Sequence, residues 1–496
     1  MRAYQKTILL LCSLAVASGQ TLMAREPSVL TLNQAVDEAL ANNLGLQIAR
    51  LDPVIAEGEL SAADADYDPE LFAAASYSIR DAGTTYDETV GSESDARTYQ
   101  GGVRQKLSTG ATVTLSTTLN RNDSTALTNI GSNLDYESNV GLEVRQPLLK
   151  GAWRDYNLAE LRKAKSGLNE SKLTLRKQIL DIVQQTEQAY WDLAYAYAYV
   201  EMQRSGVKAS EQLVAETESK FKANLASRVE LLQAQSQLAS DQEALLLAES
   251  NLESVADTLL VLIGGFQSAS VEDIPVVTTL PQKFPSLADY DSVWINALQA
   301  SEDVAIQEEQ IFQYEQDAVT ARHRKRPQLD LVATGAYIGL DDTSVDNAYS
   351  NAVDREGDRW GVMLEYSMPW GMNEGKARLQ QAKARVEQEE IRLIQVKQTL
   401  RSTTRSAWRN TNVGLSRVEL TQTTLDLQEQ AFAEAQAKYQ RGLISFREML
   451  EAQRDYDQAR QNHLQSTLQL MKYEVDLSRI DGSLMARHGY EPLNNN

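Results

Sequence analysis

The sequence predicts a mainly α-helical chain with a smaller β part, built from two related halves, and three observations carry this. Two polar, alanine-rich stretches, about 153 to 223 and about 372 to 440, keep a helical period without a single proline. Shorter segments of period-two alternation precede each of them. Finally, KFKANLASRVELLQAQ, Lys220 to Gln235, returns as KYQRGLISFREMLEAQ, Lys438 to Gln453, at a constant offset of 218. That period far exceeds the ~20 to 50 residues of solenoid units, so two large structural repeats fit better than an array.

The chain opens with MRAYQKTILLLCSLAVASG, in which a charged start precedes a short apolar run and small residues. This reads as a secretory signal peptide within residues 1–24, cleaved after Gly19 or after Ala24. The one cysteine, Cys12, lies inside it, so the mature chain has neither disulfides nor thiolate metal sites. No later stretch approaches the ~20 apolar residues of a membrane helix, which leaves a soluble exported protein or a membrane β-barrel. Net charge is −21, from 48 basic and 69 acidic residues spread along the chain. Nucleic acid is excluded as a partner, because phosphate binding needs a basic face.

The first repeat, 25–264, begins with a short helix and a longer one, the pattern Leu32, Ala35, Val36, Ala39, Leu40 being interrupted at Asn42-Asn43 and Asp52-Pro53. Strands follow over about 70–147. Leu71, Ala73, Ala75, Tyr77 and Ile79 alternate with Phe72, Ala74, Ser76, Ser78 and Arg80. Three more alternating segments follow: Tyr99 to Leu107, Ala111 to Leu119 and Asn139 to Arg145, the first two joined tightly by Ser108-Thr109-Gly110. Long polar loops lie at Asp81 to Asp95 and Arg121 to Glu137. A soluble sheet with one wet face gives the same alternation. Segment lengths near the ~9 to 11 residues of a tilted membrane strand, and short turns alternating with long loops, favour membrane hairpins. A long helix, about 153–223, and a return helix, about 227–263, complete the half.

A proline-bearing connector, 265–285, leads to the second repeat, 286–481. It has a helix from Ser286 to Arg326, strands over about 328–368 around an acidic loop from Asp341 to Asp358, a long helix about 372–440 and a return helix about 445–480. The tail, 482–496, reads as loose. Each half thus holds one helix of about 70 residues and two of about half that length, as if two short helices stacked end to end beside one long one. At ~1.5 Å per residue this describes a rod on the order of 100 Å, strands at one end and tips at the other. The long helices carry Gln184, Gln185, Ala189, Ala194, Gln381 and Ala382 where a bundle core has leucine. Such faces suit a wall of helices around a wet lumen; a filamentous coiled coil is the alternative, without sustained heptads to support it.

The strand-helix order twice over, the opening TLNQAVDEALANNLGL, the strand exit QPLLKG, Ala189-Tyr190-Trp191 and the tip KYQRGLIS together resemble the TolC-like outer-membrane efflux channels, along essentially the whole mature chain. The resemblance implies a homotrimer in the cell outer membrane. Its β-barrel, set in outer-membrane lipid, continues into a periplasmic tunnel, an α-barrel of long antiparallel helical hairpins, with the connector at its equator. It also implies two partners, a periplasmic adaptor (membrane fusion protein) and, through it, an inner-membrane pump.

In that family inward-facing carboxylates just past the second tip glycine line the periplasmic gate. Matching on Tyr439 and Gly442 places Glu448 and Glu451 there, three residues apart on one helix face, and Tyr439 completes the expected gate. In a trimer they make two acidic rings that favour cations and raise one another's pKa. The first tip has Glu230 and Gln233 at the equivalent places, so Glu230 is a secondary pore carboxylate and gating falls mainly to the second tip. Adaptor docking falls to Ala223, Asn224, Leu225 and Ser227 at the first tip and Arg441, Gly442, Leu443 and Ser445 at the second.

Two departures from the family pattern stand out. An arginine that some relatives carry two positions after the glycine is Ile444 here, with Arg441 and Arg447 nearby. The family's four strands per protomer give twelve in the trimer. This chain instead shows four candidate strands in its first half and two in its second. Either the extra hairpin, Tyr99 to Asn120, enters the barrel or it folds as an accessory sheet. The basic run Arg322 to Arg326 reads as a solvated rim rather than a lipid site. No nucleophile-base constellation or phosphate loop occurs, so neither enzymatic activity nor a cofactor is expected.

Overall fold

Helix follows helix until Pro69 and alternation takes over after it, and the backbone follows the same order. The structure, a computed structural model, describes residues 29–81, 93–124, 134–265 and 286–490, with 275, 277, 280, 281 and 284 between the last two. The expected signal peptide, most of the connector, the middles of both long loops and the last six residues lie outside the described residues.

The first half comprises α1 (Leu32–Asn42), α2 (Leu44–Ala49), α3 (Asp52–Ala65), β1 (Glu70–Asp81), β2 (Glu93–Lys106), β3 (Thr112–Ser124), β4 (Leu134–Pro147), α4 (Arg154–Asn157), α5 (Ala159–Lys222) and α6 (Arg228–Leu262). The second comprises α7 (Tyr290–Ala300), α8 (Glu302–Arg324), β5 (Gln328–Asp341), α9 (Val345–Val353), β6 (Gly357–Ser367), α10 (Asn373–Gln440), α11 (Phe446–Asp481) and α12 (Leu484–Arg487). Among the described residues no helix is long and apolar enough to cross a membrane.

The chain divides into two compact units, and the strands belong to the one formed by Asn42–Gln184, Pro285–Gly414 and Tyr473–Asn496. Its six strands make one antiparallel sheet in the order β1-β2-β3-β4-β5-β6, with β4 against β5 joining the two halves. The extra hairpin is therefore no accessory sheet: β2 and β3 sit inside the ladder between β1 and β4. Directly paired residues share a face, and one row across the sheet reads Leu71, Val103, Leu115, Leu142, Gly335, Trp360. A row on the opposite face reads Arg104, Thr114, Glu143, Thr334, Gly361. On that polar face Arg145 donates to Asp330 at 3.1 Å and to Glu365 at 2.9 Å.

Four expectations need correction. The stretch Asp341 to Asp358 is not only loop, because α9 forms within it, capped by Ser344, whose Oγ accepts from Asn347 N at 3.2 Å. Ala348 and Ala352 of α9 are fully buried, and Ser138 Oγ donates to the Ala348 carbonyl at 2.6 Å. A Cβ on Gly339 would lie 1.9 Å from that carbonyl, so the helix lies against the sheet only because residue 339 is glycine. Next, the helix expected over Ser286 to Arg326 is split: Ser301 leaves the helical region and its Oγ caps α8 through Val304 N at 3.4 Å. The long helix expected from residue 153 is interrupted at Leu158, and Trp153 sits at φ 75°. Lastly the tail is not loose throughout, since Leu484 of α12 is fully buried.

An ion network organises helices of the same unit. Glu302, almost fully buried, accepts from Arg176 and from Arg479 at 3.1 Å each, and Arg479 also donates to Asp181 at 3.0 Å. The other unit, Met1–Ala41, Gln185–Phe284 and Leu415–Lys472, holds a core of Tyr190, Leu193, Leu259 and Leu470, with the Tyr190 hydroxyl donating to Leu30 O at 3.0 Å. Small and polar residues, Thr186, Ser210, Thr217 and Ser466, are buried along its helices as well. Helices this long and this polar hold together by packing rather than by apolar stripes of their own.

Candidate functional site

The turn after α5 and the turn after α10 close in the same way, and both lie in the unit without strands. After α10, Gly442 N donates to Tyr439 O and Leu443 N to Lys438 O, both at 2.9 Å, with Gly442 at φ 73°. After α5, Asn224 N donates to Phe221 O at 2.9 Å and Leu225 N to Lys220 O at 2.7 Å, with Asn224 at φ 59°. This paired arrangement satisfies the last helical carbonyls and needs a residue that tolerates the left-handed region, which glycine and asparagine do. It leaves Leu225 79% and Leu443 68% exposed, one apolar side chain at the apex of each tip. Ala223 and Arg441 are exposed beside them.

Each return helix starts with a capping box. Ser227 Oγ accepts from Glu230 N at 3.2 Å while the Glu230 carboxylate accepts from Ser227 N at 2.9 Å. Ser445 Oγ accepts from Glu448 N at 3.3 Å, and the Glu448 carboxylate accepts from Ser445 N at 2.7 Å and from its hydroxyl at 2.9 Å. Glu448 therefore has local work: it satisfies an orphan amide at the helix start. Those bonds stabilise its charged form, so within one chain its pKa is lowered, by the Ser445 amide first and the hydroxyl second. This is opposite to the upward shift expected of close carboxylate rings. Glu451 is held by Arg447, whose Nε donates to it at 3.1 Å one turn away.

Tyr439 packs within the tip. Its ring lies 5.6 Å from that of Phe446, and Lys220 Nζ of the first tip sits 4.6 Å from its centroid. Burial, followed by the charges of Glu230 and Glu216, raises its pKa. Around it Phe446, Met449 and Leu450 form a buried cluster with Ala234 of α6, and Ile444 packs against the same cluster. Ile444 thus contributes apolar packing between the hairpins.

Sequence reasoning missed two features here. The Phe446, Met449, Leu450 triplet was readable, since positions one, four and five share a helix face. The second feature carried no such signal: farther along the same helices, Asp457 and Asp241 approach each other. Asp241 accepts from Ser210 Oγ and, at 2.8 Å, from Gln237 Nε2. The Asp457 carboxyl is pushed up to about 6, by burial first and by the Asp241 charge second, with Arg460 pulling the other way. Arg460 donates to Ser205 at 3.2 Å and Arg454 to Gln237 at 3.0 Å, both across to the first hairpin. The basic run in the strand unit is also divided: His323 is buried against Tyr156 at 5.3 Å, while Arg322, Arg324 and Arg326 are exposed.

The doubled helix-strand-helix order, the six-stranded sheet and the matched tips bear directly on family. Residues 35–265 and 294–483 match the model of the outer membrane efflux protein family. No curated protein matches the chain in sequence. Among solved structures, the outer-membrane channel OprN aligns with a TM-score of 0.67 at 18% identity, over 91% of this chain and 89% of that one. The outer membrane protein VceC from Vibrio cholerae gives 0.66 at 17%, over 91% and 96%. The CmeC outer membrane channel from Campylobacter jejuni gives 0.64 at 18%, over 94% and 87%. At such identities the likeness is one of fold, whereas the family match spans both halves of the chain and most of its length: the chain belongs to the outer membrane efflux protein family.

Proposed function

We propose that this protein is the outer-membrane channel of a tripartite efflux or type I secretion system, a passive trimeric exit duct opened at its periplasmic tips by an adaptor that links it to an inner-membrane pump. The observation that carries the reading is the two-faced sheet. Leu71, Tyr77, Ile79, Tyr99, Leu115, Leu142, Trp360, Val362, Leu364 and Tyr366 are all exposed on one face. An exposed apolar surface of that extent needs a cover, and in an outer membrane protein hydrocarbon provides it. The opposite face, with Thr114, Glu143, Arg145 and Glu365, suits a wet lumen.

The tips are the docking and gating elements in this reading. Leu225 and Leu443 give an adaptor one exposed apolar anchor at each apex. Glu448 and Glu451 of three copies make two acidic rings at the entrance, with Arg447 offsetting the second. Adaptor binding opens the rings by parting the Tyr439-Phe446 cluster from Lys220 and Ala234. The duct does no chemistry, and a passage lined in this way leaves cargo choice to the pump.

Planar-bilayer recording tests the gate. Because Glu448 also caps a helix, glutamine is the informative replacement, keeping the cap while removing the charge. Glu448→Gln with Glu451→Gln should raise conductance and lower cation preference; unchanged conductance and selectivity would refute the gating role. Membrane fractionation tests the duct itself: release by washing without detergent would point instead to a periplasmic coiled-coil structural protein without a pore.

A further inference from the structure

We infer that all six strands of every copy enter the membrane barrel and that β6 of one copy pairs with β1 of the next, so that three copies close eighteen strands rather than the family's twelve. The inference rests on the duct reading above and goes beyond it in specifying the seam and the size of the wall.

The sheet ends on two open edges: among the described residues β2 to β5 pair on both sides, while β1 and β6 pair on one side only. Open edges are not tolerated in hydrocarbon, where unpaired N–H and C=O groups find no water. Six strands also fall short of the eight in the smallest closed membrane barrels, so the missing partner comes from another chain. A second copy fits the edge. In an antiparallel sheet with an even number of strands, β1 and β6 run in opposite directions, so β6 of one copy meets β1 of the next antiparallel. The two strands are matched in length, 12 and 11 residues. Both carry their apolar residues on the same sheet face, Leu71, Tyr77 and Ile79 on one and Trp360, Val362 and Leu364 on the other. The lipid-facing band thus continues across the seam.

The extra hairpin belongs in the wall for an independent reason. β2 is hydrogen-bonded along its length to β1, and β3 to β4, so moving the hairpin outside would break both ladders and strand β1 away from β4. Its side chains keep the same division, Tyr99, Val103 and Leu115 on the apolar face and Gln100, Thr114 and Ser116 on the polar one. Barrel diameter grows roughly linearly with strand number, so at equal tilt the opening is about 1.5-fold wider than that of twelve strands.

Electron cryomicroscopy of the wild-type protein in lipid nanodiscs tests this directly. The expected image is a trimer with eighteen strands and a β6-β1 seam between copies. A trimer with a twelve-stranded ring and β2-β3 packed outside it would overturn the inference and leave the duct reading intact, whereas a monomer, or a sheet lying outside the bilayer, would overturn both. Cysteine pairs supply a second measurement, since the one native cysteine, Cys12, lies in the expected signal peptide. A cysteine at Ser76 or Ser78 combined with one at Gly361 or Met363 should give covalent dimers and trimers on oxidation. Absence of any ladder across this register series, in a protein that still runs as a native trimer, would overturn the seam. Single cysteines at Leu115 and Ser116 report on the hairpin: a lipophilic reagent should label the first and a hydrophilic maleimide the second, and hydrophilic labelling of both would overturn its place in the wall.

Discussion

Replacing Asp457 with asparagine should stabilise the contact between the two hairpins at neutral pH and remove a pH dependence that the wild type carries. The Asp457 carboxyl is displaced from 3.8 to about 6 by burial and by Asp241. A shift of that size corresponds to about 3 kcal/mol at most, and the partial exposure of the group brings it to roughly 1–2 kcal/mol. The sign follows from proton linkage. A carboxyl whose folded pKa is raised binds its proton more tightly in the folded state, so its stabilising contribution is complete below the unfolded value and is lost as pH rises through about 6. Asp457→Asn stays neutral at every pH and retains an N–H₂ with which to donate toward Asp241. At pH 7.5 the variant should be more stable than wild type by that 1–2 kcal/mol, and near pH 4 the difference should vanish. Hydrogen exchange of α11 amides between Arg454 and Gln461, followed from pH 4.5 to 7.5, measures it locally where global unfolding of a long chain would mask it. An Asp457→Asn protein that exchanges as fast as wild type at pH 7.5, or keeps the same pH dependence, would refute the coupling.

Two further outcomes follow from burial. Glu302→Ala leaves Arg176 and Arg479 without the carboxylate they share and should cost about 3–5 kcal/mol, read as a lower denaturant midpoint of the purified protein. Phe446→Ala removes the side chain at the centre of the tip cluster, 2% exposed, at a cost on the order of 3 kcal/mol or more. If the proposed duct reading holds, it should raise single-channel conductance without changing cation preference, because both glutamates remain, which separates packing from charge at the proposed gate.

How much was legible depended on the range of the signal. Period-two alternation marked the strands, because one face of each carries the large apolar side chains and the other mostly small or polar ones, as with Leu115 and Ser116. The tips were legible because left-handed closure restricts residue choice, which is why Asn224 and Gly442 stand out at the same offset. Ser301 was not legible as a break, since a serine mid-pattern reads equally well as helix surface until its hydroxyl is seen capping Val304. α9 was masked by its shortness, nine residues inside an acidic stretch, its burial resting on two alanines and on the absence of a side chain at Gly339. The capping role of Glu448 is legible in Ser445-x-x-Glu448 alone.

By itself, then, the sequence determined the doubled plan, the two faces of every strand and the chemistry of the tips, because these are local properties of period, turn geometry and residue type. Tertiary structure decided what depends on partners far apart in the chain. It placed the extra hairpin inside one sheet by hydrogen bonds from β1 to β2 and from β3 to β4, and it joined the two halves through β4 and β5. It also set Asp457 beside Asp241, where burial and a neighbouring charge, neither of them visible in the run of residues, move a carboxyl up to about 6.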